Sequence, residues 1–225
     1  MKTKLIPILL LALLIPNITK AYDFPKKIFN IYLYENLDQY LEGYTKNIEN
    51  LWNEKYNFYW LDDAIGIEKN NLFDEYFGAI KKEDVENKII YITGSKFEKF
   101  SITKKDSFEK FKTSCLSKKN TILKMIQFKY DIDDRYLIKK IIRSKPEETS
   151  LTFVNVVRIN SQNNKETLSI GCEFSRLENH YLSRLLYSLS SKEELDFMLD
   201  KITTMMDTKL KAIDFDLFKE DSSGL

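Results

Sequence analysis

The stretch SIGCEFSRLENHYLSRLL (169–186) carries Cys172, one of two cysteines, and His180, the single histidine of the chain. How it folds decides the architecture, because it joins the clearest β-type segment to the helical pattern expected at the C-terminus. A period of two over 167–174 puts Leu168, Ile170, Cys172 and Phe174 on one face, so the Cys172 thiol points inward. From Leu177 onward, Tyr181, Leu182, Leu185, Leu186 and Leu189 recur at helical spacing, which predicts a helix over about 177–189. His180 and Arg184 then fall on or beside its outer face. The stretch reads as a strand-to-helix corner with the thiol turned in and the imidazole turned out, so a catalytic Cys172–His180 dyad is not expected.

Working outward, LTFVNVVRI (151–159), SQNNKE and TLSIGCEF (167–174) form a hairpin pattern, two β-rich runs joined by polar turn residues. Downstream, Ser191 opens S-K-E-E, a capping box with Glu194. The helix that follows carries Leu195, Met198, Leu199, Ile202, Met205, Met206, Leu210 and Ile213 on one side. The acidic tail from about residue 214 is expected to fray.

Upstream, IFNIYLY (28–34) reads as a strand. Asn36 caps a helix over about 37–55, and 56–71 forms strands with a turn near Asp62 and Asp63. Leu72, Phe73, Tyr76, Phe77 and Ile80 suggest a short helix, and KIIYITG (88–94) a strand. A helix capped at Asp106 or Ser107 carries Phe108, Phe111, Cys115 and Leu116. TILKMIQFKYDI (121–132) alternates as a strand, and YLIKKII (136–142) fits either state. Hairpin-linked strands without a βαβ period indicate an α+β fold. Its antiparallel sheet is packed with amphipathic helices, two of them at the C-terminus.

The first 21 residues, MKTKLIPILLLALLIPNITKA, have a lysine-bearing start, a short apolar run and a small-residue end, the pattern of a cleaved secretory signal. The remaining 22–225 are expected to be one domain, periplasmic or secreted, with no membrane span after cleavage. The chain has 30 lysines against 5 arginines, a bias with no functional reading of its own. Charge is distributed unevenly: residues 22–95 sum to −6, 96–145 to +9 and 146–225 to −5. The basic middle, with Lys104, Lys105, Lys118 and Lys119, is a candidate footprint for an acidic protein partner. Nucleic acid is not expected as a partner, since no recognition motif is present.

Cys115 lies on the apolar side of its helix. Two inward-facing cysteines in an exported chain favour a Cys115–Cys172 disulfide over two buried thiols. Closing a loop of 57 residues would stabilise the fold by about 4 kcal/mol. No metal or cofactor is expected: one histidine cannot build a His-rich site, and the run DIDD (131–134) lacks the glycine and glutamate of a calcium loop. No G-x-S-x-G, P-loop or dinucleotide glycine motif occurs.

These observations favour a non-catalytic partner-binding protein of the inhibitor or immunity type. An exported hydrolase using Asp62 or Asp63, or Cys172 with His180, is the first alternative. A carrier of a lipid or other hydrophobic ligand, bound beside Met198, Met205 and Met206, is the second.

Overall fold

The computed structural model describes residues 22–41, 55–101, 105–144, 152–177 and 180–196. Among the described residues nine strands and one long helix are formed, β1 (Lys27–Ile28), β2 (Ile31–Tyr32), β3 (Tyr56–Trp60), β4 (Glu75–Lys81), β5 (Ile89–Ser101), α1 (Lys105–Tyr130), β6 (Leu137–Ser144), β7 (Thr152–Asn160), β8 (Glu166–Leu177) and β9 (His180–Ser191), and residues 192–196 are helical. Single 3-10 turns occupy Leu37–Gln39 and Asp134–Tyr136.

β1 and β2 form a two-stranded sheet, and the other strands a seven-stranded sheet in the order β3-β4-β5-β9-β8-β7-β6. Every pairing is antiparallel. The chain runs out through the meander β3-β4-β5 and crosses by α1 to the far edge. It returns through β6-β7-β8-β9 until β9 closes against β5.

The architecture is therefore mostly β, and the helix-rich α+β packing expected from the sequence is not what forms. The segment 177–189 is the end of β8 and most of β9, not a helix. Its leucines match a helical period because β9 lies in the middle of a sheet covered on both faces, so apolar residues occur at both parities. Leu185 and Leu189 are buried on one face while Leu186 is half-buried on the other, and the small Ser183, Ser188 and Ser190 fill the remaining space. The same ambiguity misplaces 72–80, which is strand β4, with Tyr76 and Ile80 buried on one face and Ala79 on the other. In the opposite sense, 121–132 alternates yet belongs mainly to α1. Ile122, Leu123 and Ile126 face the core, whereas Met125 and Phe128 face solvent.

IFNIYLY splits into β1 and β2 because Phe29 (φ 54°) and Asn30 (φ 64°) both adopt the left-handed region that a two-residue turn of primed type requires. Asn36 does cap, its Oδ1 accepting from the Asp38 N–H, but the capped element is only the 3-10 turn. The rest of the expected helix, 42–54, lies outside the described residues. So do the signal segment 1–21, the C-terminal helix beyond 196 with its three methionines, and the tail. The hairpin expected over 151–174 is β7 and β8, in register Val157↔Ile170.

The main core lies on one face of the large sheet. There Leu168, Ile170, Cys172 and Phe174 of β8 meet Cys115, Ile122, Leu123 and Ile126 of α1. The other half of that face is covered by residues 22–40, with Phe29, Ile31 and Leu37 buried. A second cluster, Tyr56, Phe58, Ala79 and Ile90, sits on the opposite face.

Candidate functional site: a groove beside helix α1

Phe29 sets the site. Held at positive φ by the turn, it lays its ring edge-on against Phe73 (centroids 5.4 Å), Tyr76 (4.8 Å) and Tyr187 (5.7 Å). Phe73 and Tyr187 stack at 6.1 Å. The Glu68 N–H donates to the Phe29 carbonyl (2.9 Å) and Asn30 Nδ2 donates to the Gly66 carbonyl (3.0 Å), tying the turn to the loop that precedes β4.

Between this aromatic floor, the β1–β2 turn and the C-terminal half of α1 lies a groove of about 630 Å3, within the ordinary size of ligand sites. Its open side is apolar: Phe128 is 92% exposed and Met125 61%, with Leu72 also at the surface. Residues that large and that exposed lie here beside a concave floor, which makes the groove the candidate site. Lys27, Lys129 and Glu68 stand on the rim. Burial first, and then the Tyr130 hydroxyl, push the Tyr187 phenol far above the usual tyrosine range, so it stays a neutral donor.

The basic middle of the sequence becomes α1 and the edge strand β6. These approach each other, since Lys139 of β6 lies close enough to Lys119 to disfavour its charge. The four lysines singled out from the sequence do not form one exposed patch. Lys104 is outside the described residues, as is the side chain of Lys105. Lys118 Nζ pairs with Glu98 Oε1 at 2.8 Å. Lys119 is only 5% exposed and donates to Asn155 Oδ1 at 2.6 Å; burial and Lys139 hold its ammonium below the usual lysine range. Of the exposed cations of α1, Lys129 lines the groove, and Lys124 lies one helical turn before Phe128. Periodicity could have found them had 121–132 been read as helix.

Asp62 and Asp63 follow β3 in a turn. Burial raises the Asp62 carboxyl above the usual aspartate range although its Oδ1 accepts the Tyr76 N–H at 3.3 Å, while Asp63 is exposed. Nothing else acidic is brought to them to complete an acid/base pair among the described residues. Cys172 is fully buried and bonded to Cys115 of α1, with Cα atoms 6.1 Å apart. His180 is the first residue of β9, opposite Leu177, whereas Cys172 pairs with Leu185 further along.

The helix expected to open at Ser191 does begin there, residues 192–196 being helical, and the Glu194 carboxylate within it, 1% exposed, accepts from the Tyr56 hydroxyl and pairs with Lys81 and with Lys55, the latter at 3.3 Å. Burial alone would raise it; the Lys81 ammonium, the Tyr56 hydroxyl and Lys55 outweigh that and hold it below the usual carboxylate range. Sequence reasoning missed this cluster because its members come from three distant segments. Among the described residues, no group of three His, Cys, Asp or Glu side chains could hold a metal ion, and no helix is long and apolar enough to cross a membrane.

No family model, curated protein or solved structure matches this chain, and the groove is interpreted from its own geometry.

Proposed function

We propose that the protein is a non-catalytic binding domain of an exported compartment. Its groove beside α1 docks a segment of a partner protein that offers an apolar side chain flanked by acidic residues. The observation that carries this reading is Phe128, almost fully exposed beside Met125 at the mouth of a groove floored by Phe29, Phe73 and Tyr187. A surface aromatic and a methionine at a concave site are the residue types that anchor interfaces. The exposed Lys124, Lys129 and Lys27 supply the charge complement that favours an acidic partner and speeds its approach.

Export is supported by the Cys115–Cys172 pair, which suits an oxidising compartment. It also accords with Tyr22, the residue after the proposed cleavage point. Tyr22 is buried, its hydroxyl donates to the Asn160 carbonyl, and its ring packs 4.7 Å from Tyr136.

The test compares partner capture from envelope extract by the wild-type chain, Phe128→Ser and the pair Lys124→Glu with Lys129→Glu. A specific acidic protein should be retained by the wild type, lost with Phe128→Ser, and retained more slowly and less salt-sensitively by the charge reversal. Equal capture by all three proteins removes the groove from consideration.

A further inference from the structure

The face of the sheet turned away from α1 carries a row of buried polar side chains that owes nothing to the groove. One row across the strands aligns Arg158 of β7, Ser169 of β8, Ser188 of β9 and Thr93 of β5, all with side chains on that face. All four are buried, and Arg158 is only 7% exposed.

The neighbouring row is satisfied internally: Thr167 Oγ1 donates to Asn160 Oδ1 (2.9 Å) and Ser190 Oγ to the Thr167 carbonyl (3.4 Å). In the Arg158 row Thr93 Oγ1 donates to the Tyr187 carbonyl (3.2 Å), but the Arg158–Ser169 end is left unsatisfied. Arg158 Nε and Ser169 Oγ, on directly opposed residues, are buried with no hydrogen-bond partner among the described residues.

A guanidinium does not deprotonate in a protein, and a buried cation to which no acid is bonded among the described residues is strongly disfavoured. Asp196, the acidic group whose field reaches Arg158, is 54% exposed and pairs instead with Lys192 at 3.1 Å. Water could satisfy the serine hydroxyl but not the charge. An oxyanion supplies both the acceptor and the negative charge, and a planar guanidinium fork beside a hydroxyl suits phosphate geometry.

We infer that Arg158 and Ser169 form a buried binding site for a phosphate-class oxyanion, either free or as the headgroup of a larger amphiphile.

The experiment titrates inorganic phosphate, and separately a short-chain phosphatidic acid below its micelle concentration, into the chain as it accumulates in the periplasm of an expression host. Calorimetry and thermal melting are the readouts. The wild type should bind at least one probe with 1:1 stoichiometry and melt higher with it. Binding should weaken about tenfold or more in Arg158→Met and by a smaller factor in Ser169→Ala. Without probe, Arg158→Met should melt at or above the wild-type temperature, because an uncompensated charge has been removed. Saturation by phosphate identifies a free oxyanion; saturation by the lipid alone identifies a headgroup. No saturable binding by the wild type overturns the site. So does equal binding by Arg158→Met, or a lower melting temperature of that variant without probe, which would mean that Arg158 is neutralised within the fold.

Discussion

The ring of Phe29 lies on the bare Cα of Gly94: a Cβ there would sit 2.5 Å from Phe29 Cζ and 3.0 Å from Phe73 Cγ. Phe29 cannot easily retreat, because its backbone is fixed at positive φ by the β1–β2 turn. Gly94→Ala should therefore destabilise the protein by about 1–3 kcal/mol through overpacking. Urea unfolding in a Phe29→Ala background should show a smaller effect of the same substitution. An equal effect in both backgrounds would mean that Phe29 is not what excludes the methyl group.

The Cys115–Cys172 bond ties α1 to β8 across 57 residues of chain. Reduction should lower stability by about 4 kcal/mol, the upper end for a loop of this size. Urea midpoints with and without reductant measure it, and the Cys115→Ala, Cys172→Ala double variant should match the reduced protein in its response.

Glu194 gives the protein a defined acid sensitivity. Its folded pKa lies below the usual glutamate value of 4.5, so its contribution is fully present above that value and is lost as pH falls through the lower, folded one. Glu194→Gln should destabilise by about 2 kcal/mol at neutral pH, since it unpairs Lys81 and weakens the acceptor for Tyr56. The variant should also lose part of the stability decline below pH 4.5. A parallel acid profile in wild type and variant would contradict this assignment.

Charge reversal separates structural from surface lysines. Lys118→Glu with Lys119→Glu should lower stability by about 2–4 kcal/mol, because one breaks the bridge to Glu98 and the other buries an anion beside Asn155. Lys124→Glu with Lys129→Glu should stay within about 0.5 kcal/mol of wild type. Thermal denaturation distinguishes the pairs, and only the second pair tests partner steering cleanly.

What the sequence made legible follows from how many faces of each element are buried. The β7–β8 hairpin was readable because its turn is polar and its inward residues alternate, and the same alternation placed Cys172 inside. β4 and β9 were misread because both their faces are covered: Tyr76 beside Phe77, or Leu185 beside Leu186, satisfies a helical period as well as a strand buried on two sides. For α1 the error ran the other way. Alternation over 121–132 puts Phe128 on one strand face with Ile122 and Ile126, whereas in α1 it is exposed beside Met125, and that exposure is the very feature that marks the groove. The Arg158–Ser169 pair had no local signal, since only the register of β7 against β8 brings the two together.

The closing of β9 on β5 also constrains the order of assembly. That junction pairs Tyr91 with Ser190 and Ser101 with His180, so the inner edge of the first meander has no partner until nearly the whole described chain has been made. During vectorial synthesis the long edge of β5 would stand open and prone to pair with other chains. A protein built this way gains from staying unfolded, or guarded by a chaperone, until its last strand is released. Translocation of an unfolded polypeptide followed by folding on the far side meets that requirement.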